Sequence, residues 1–178
     1  MATILTETLP TTIPDNQSRS RAERLAARIE EGAAGLAAFA ETLGDAEWRL
    51  PVSTSDKRSV GTIVHHVASM YPIEVELGLA IASGKPGTDV TWEVVAHINA
   101  HHAQEHAQPT KSESLELLRR NSRAAADAVR TLSDEQLDHA TSFGLSYGAP
   151  MTVQFVIEDH ALRHSWHHLA RIRKAVGR

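Results

Sequence analysis

Apolar residues recur at every third or fourth position over most of the chain. In "RAERLAARIEEGAAGLAAFAETL" they place Leu25, Ile29, Leu36, Phe39 and Leu43 on one stripe, which predicts a long helix opened by Ser18 or Ser20 and ended near Gly44. "DAEWRLPVSTSDKR" breaks the pattern and reads as a polar connection. Ser59 then caps a second long helix, "VGTIVHHVASMYPIEVELGLAIASG". Pro72 lies inside it and predicts a kink or a break, because its ring removes one N–H and crowds the preceding turn. Gly84 ends that helix.

Thr91 caps a shorter helix, "WEVVAHINAHHAQEHA", and "QPTKSE" reads as a turn. A third long helix follows, "SLELLRRNSRAAADAVRTL", and Ser133 opens one more turn with Glu135 and Gln136 near capping-box spacing. "TSFGLSYGAP" is the longest irregular stretch. Thr152 caps the final helix, which runs to Val176 and stops at Gly177. Four long helices and one or two short ones predict an all-α protein, a four-helix bundle. Its two lengthy connections allow crossovers rather than a simple up-down series. Residues 18–178 form a single domain on this pattern, and residues 1–17, rich in Thr and Pro, a disordered leader.

Composition narrows the function. The chain has 178 residues, 42% of them hydrophobic and only 4% aromatic, with a formal net charge of −4. Lys and Arg form no basic stripe, so nucleic acid is not the expected partner. No apolar run reaches the roughly 20 residues of a membrane span, and no signal peptide is recognisable. Cysteine is absent, which excludes disulfides, a catalytic thiol and thiolate metal sites, and fits a cytoplasmic protein. Any metal must be held by His, Asp, Glu or water.

Histidine is the residue type that stands out. "HALRHSWHHLARIR" carries four in nine positions. At 100° per residue His164 and His168 share the apolar face of the last helix with Ile157, Ala161, Ile172 and Ala175. His160 falls at the edge of that face and His167 to its side. On the second helix His66 shares a face with Ile63, Met70, Ile73, Leu77 and Ile81, while His65 points toward an edge. Two inward imidazoles four residues apart each need a buried partner, and one divalent cation can serve both. His66, His164 and His168 thus form a candidate set of three neutral nitrogens, the open coordination of a catalytic site rather than the closed set of a structural one. A substrate thiol entering the open position would ionise.

The short helix adds His97, His101, His102 and His106, at ligand spacing but without one clear inner face. They read either as a polar helix covering the bundle mouth or as the source of a proton shuttle or a fourth contact. His139 reads as surface.

"VGTIVHHVASMY" followed by "HSWHHLARIR" resembles the DinB/YfiT-like superfamily, in which a His closing "hHHhA" on the second helix joins H-x-x-x-H on the last. Carried over, the resemblance selects the same His66, His164 and His168 as ligands. "EWRLP" before the second helix and "SV" opening it also match, and the likeness covers most of residues 20–177. It implies a crossover four-helix bundle, a homodimer, and a divalent ion, zinc or nickel. It also implies a reaction with a low-molecular-weight thiol such as bacillithiol or mycothiol, in which the metal activates the thiol for attack on a small electrophile. The chain departs from common family forms at Ser69, at Ala170–Arg171 and in the His-rich "HINAHHAQEH" insert, changes that bear on substrate rather than on ligation.

The expected function is therefore a metal-dependent thiol transferase. The electrophile would enter past Trp92, Asn99 and His102, and Arg163 or Arg171 would either receive a cofactor carboxylate or remain solvated. The alternatives are a hydrolase or isomerase using metal-activated water with His160 or Glu158 as base, and a non-catalytic metal-binding stress-response protein.

Overall fold

A computed structural model of the protein describes residues 20–178; the expected leader over 1–17 lies outside them. Ser20 opens α1 (Arg21–Glu41), its hydroxyl accepting the Glu23 N–H at 3.1 Å. A short α2 (Asp45–Trp48) interrupts the connection to α3 (Val60–Ala82). That connection is less polar than expected, since Trp48 and Val52 are both in the core. The Trp48 ring lies over Gly61, where a Cβ would come within 2.4 Å of the indole nitrogen. Here the glycine is a packing requirement.

Helix α3 neither breaks nor ends at Pro72. Proline cannot donate to the Ala68 carbonyl one turn back, and the Asn121 side-chain amide donates to that carbonyl instead, at 2.9 Å. A neighbouring helix thus repairs the ladder. The third long helix, α5 (Lys111–Arg130), starts three residues before the expected position, because Thr110 caps it through the Glu113 N–H. Between these lies α4 (Trp92–Glu105), capped by Thr91. After α6 (Asp134–Asp138), with its Ser133/Gln136 capping box, the stretch expected to be irregular forms a hairpin. Strand β1 (Ala140–Ser142) pairs antiparallel with β2 (Pro150–Thr152), Thr141 opposite Met151. Strands of three residues carry too few positions to show alternation in sequence.

The final helix is not continuous α-helix. It runs as α7 (Val153–Ile157), a π-turn over Glu158–Leu162, and α8 (Arg163–Val176), with Gly177 left-handed at its end. The extra residue of the π-turn rotates α7 about the helix axis relative to α8. Val153, Val156 and Ile157 are therefore all buried on one side of the turn, and His168, Leu169 and Ile172 on the other.

Helix α1 packs on α5 and α8, and α3 packs on α5, α7 and α8. Helices α1 and α3, successive in the chain, therefore stand at opposite corners, as do α5 and α8, and the connections between them cross over the bundle. Alanine-rich faces (Ala26, Ala33, Ala37 and Ala40 of α1; Ala125 and Ala126 of α5) allow close approach at the core. Tyr71 and Ser165 share a buried 2.6 Å hydrogen bond that fixes α3 against α8. None of the helices among the described residues is long and apolar enough to cross a membrane.

The hairpin loop positions α4. Gly144 fits so tightly against residues 88–90 that a Cβ would lie 2.3 Å from the Val90 carbonyl oxygen. Its N–H donates to the Gly87 carbonyl at 3.0 Å, and the Trp92 indole donates to the Leu145 carbonyl at 3.1 Å. Just past its other end the Thr62 hydroxyl donates to the Ala107 carbonyl at 3.0 Å, and His102 is the one buried residue of α4. Helix α4 forms one wall of a cavity of about 520 Å³ whose floor is α3 and the last helix.

Candidate metal centre

The floor of that cavity holds His66, His164 and His168. One ring nitrogen from each lies within 4.8 Å of the others. His66 and His164 face each other through their Nε2 atoms at 3.2 Å, and the rings of His164 and His168 lie 4.9 Å apart. Two ligands of a tetrahedral ion with bonds of 2.0–2.1 Å are separated by about 3.3 Å, so the spacing of the first pair suits a shared cation. Nδ1 of both His66 and His168 is buried without a partner. Burial, and after it the neighbouring His164, holds both imidazoles far below their ordinary pKa. At neutral pH they are uncharged, the form in which histidine binds a metal. The residues present fit a divalent cation.

A carboxylate stands behind this set. Glu74 Oε1 lies 2.6 Å from His164 Nδ1, and both side chains are largely buried. The approach is oblique, leaving Nδ1 without a well-aligned hydrogen bond and Glu74 Oε2 with no partner. A carboxylate in this place favours the Nδ1–H tautomer and leaves Nε2 free to ligate. Sequence reasoning missed Glu74. Its signal was a lone acid between the apolar Ile73 and Val75, in the same turn as Met70. Ile73, expected on the inner face, is 46% exposed because that face opens here into the cavity.

The other candidate residues divide. His160, Trp92, Asn99 and Arg163 line the cavity. His160 Nε2 is buried with no hydrogen-bond partner, the ring rests against Phe143, and burial lowers its pKa. Arg163 is engaged by Asp159 at 3.0 Å. Glu158 faces away, into a groove beside Arg21 and Arg28, and accepts from Gln154 at 2.9 Å; two residues from His160, it falls on the other side of the helix. Arg171 also lies outside the cavity, donating to Asp56 at 2.9 Å. Asp56 is bound as well by Arg58, and these guanidinium groups, Arg58 first, hold its carboxyl well below the usual carboxylate range. Exposed His167 stands at the rim, and exposed His139 caps α6.

His102 does not line the cavity. It meets His65 and His106 in a second cluster, whose ring nitrogens also lie within 4.8 Å of one another. His97 and His101 are exposed and outside both groups, His101 pairing with Glu105 at 3.2 Å.

No curated protein matches the sequence. Among solved structures the fold is similar to YfiT from Bacillus subtilis, described as a probable metal-dependent hydrolase with an unusual four-helix bundle topology. That likeness has a TM-score of 0.69 at 20% identity, covering 90% of this chain and 91% of that one. A sequence model of the DinB superfamily matches residues 28–172, the span that holds both histidine motifs and the crossover connections, and the chain belongs to that superfamily.

Proposed function

We propose that the protein is a metal-dependent enzyme that joins a low-molecular-weight thiol to a small, partly apolar electrophile. The observation that carries it is the placement of three imidazoles at the floor of an open cavity, with no fourth protein ligand grouped with them among the described residues. A divalent ion bound there supplies a Lewis acid with a position left for a substrate sulfur or oxygen. Met70, Leu77, Val95 and Ile98 give the cavity an apolar wall, which keeps water from the reacting groups and suits the body of an organic substrate. Trp92 and Asn99 flank the entrance. His160, neutral and unpartnered, accepts a proton at Nε2 from the attacking group. Arg58, paired with Asp56, lines the same cavity.

A second reading, hydrolysis, rests on the same His160. A base facing the cavity can also take its proton from water that a bound ion has made acidic, and the fold neighbour is described as a probable hydrolase. Turnover of activated esters and of alkyl or aryl electrophiles by zinc- or nickel-loaded protein, with and without bacillithiol or mycothiol, separates the two. Turnover only with thiol, abolished in His168→Ala, is the expected result. Thiol-independent turnover supports hydrolysis, and no metal-dependent turnover in either arm overturns the enzymatic reading.

A further inference from the structure

The cluster of His65, His102 and His106 repeats the plan of the inner one. His65 and His66 are adjacent on α3, and each meets a pair spaced four residues apart: His66 meets His164 and His168 on the last helix, and His65 meets His102 on α4 and His106 at its C-cap. His65 Nδ1 lies 2.9 Å from His102 Nε2, and His106 stacks on the His65 ring at 4.1 Å. His102 is only 6% exposed, and its Nδ1 is buried without a partner. A hydrogen bond between the two rings leaves that Nδ1 either an unmet donor or an unmet acceptor, whichever ring carries the proton. We propose that these three histidines form a second divalent-cation site, which clamps α4 to α3 and so fixes one wall of the cavity.

The fold gives such a clamp something to do. Helix α4 buries only His102 against the bundle, yet it supplies Trp92, Val95, Ile98 and Asn99 to the cavity. A cation shared between α3 and the C-terminal end of α4 would add to the tie made just beyond it, where the Thr62 hydroxyl donates to the Ala107 carbonyl at 3.0 Å. The ligand spacing is a few tenths of an ångström short of the roughly 3.3 Å expected between two ligands of a tetrahedral ion, so His65 and His102 separate slightly on binding. The rings of His66 and His102 meet edge to face at 5.3 Å. Two divalent ions this near repel, so the second binds more weakly than the first.

The test is a Zn²⁺ titration of tag-free, chelator-stripped protein with isothermal calorimetry and mass-spectrometric metal counting, repeated on His106→Ala, His102→Ala and His168→Ala. Two equivalents are expected for the wild type. Either α4 variant should keep only the tighter one, and His168→Ala only the weaker. Amide exchange across Trp92–Glu105 should slow on binding of the second equivalent, and not in His106→Ala. His106 is partly exposed and follows α4, so its variant tests the site even where His102→Ala disturbs packing. One equivalent in the wild type, or two retained in both α4 variants, overturns the clamp. Loss of the tight equivalent in His168→Ala is scored separately, so failure of the inner centre is distinguishable from failure of the outer one.

Discussion

The two histidine clusters are built from one repeated plan but rest on different foundations. The inner one joins α3 to α8, long helices whose apolar faces meet in the core and which are further tied by the buried Tyr71–Ser165 pair. Its imidazoles are aimed by elements that would hold their places without any ligand. The outer one joins α3 to α4, a helix with a single buried residue, and that residue is one of the histidines themselves. The inner site is preorganised by packing, whereas the outer depends on its own ligands. Preorganisation is what a reacting centre needs, while a clamp is useful where packing is weak.

Both clusters predict a response to acid once metal is removed, the inner one through two of its imidazoles. Burial first, then the neighbouring His164, lowers the pKa of His66 and His168 in the folded chain. The unfolded chain takes up protons near pH 6.5 that the folded chain refuses. Stability is thus full above pH 6.5 and is lost as pH falls, by about 1.4 kcal/mol per pH unit for each of the two. Urea unfolding of stripped protein between pH 7 and 5 should show this loss, and His168→Gln should flatten the slope by roughly one such increment. His102 of the outer cluster, held down to about 4 by burial and then by His65 and His106, adds to the loss over the same range. A slope unaffected by His168→Gln would mean that this imidazole charges freely in the fold, against its burial.

Removing the carboxylate behind the inner set comes next in size. Glu74→Gln keeps the shape and one acceptor oxygen but removes the charge that favours Nδ1–H on His164. Partners of ligating histidines are typically worth about 10–100-fold in metal affinity. Calorimetry should therefore show the tighter Zn²⁺ equivalent weakened within that range and the weaker one unchanged. An equal effect on both would show that Glu74 acts through general electrostatics rather than through His164.

The contrast also explains what could be read in the sequence. Helices α3 and α8 carry clear apolar stripes, so a 100° wheel could place His66, His164 and His168 together. On α4 the residues Val94, Val95 and Ile98 select no single stripe, because the helix borders a cavity instead of a core, and the partnership of His65 with His102 and His106 was not legible. Glu74 went unnoticed for a related reason: the face it shares with Ile73 ends at an open cavity. The π-turn has no sequence signature, whereas the place of Glu158 on another surface follows from its two-residue offset from His160. The hairpin fell below the length at which a period of two can be seen.

The smallest effect lies on the helix common to both clusters. His65 and His66 precede Pro72 on α3, and Glu74 lies beyond it. The Ala68 carbonyl, deprived of its i+4 helical donor by the proline, accepts from the Asn121 amide, and Ala68 itself is fully buried. Asn121→Ala removes that bond, at a cost of about 1–2 kcal/mol in denaturant unfolding. Both histidines stay on the undisturbed side, so neither cluster loses a ligand. Only Glu74 lies past the weakened turn. The inner equivalent should therefore weaken slightly, by less than in Glu74→Gln, while the outer stays at its wild-type affinity. If Asn121→Ala instead weakened the outer equivalent, α3 would be yielding before Pro72, and the inner cluster could not owe its rigidity to that helix.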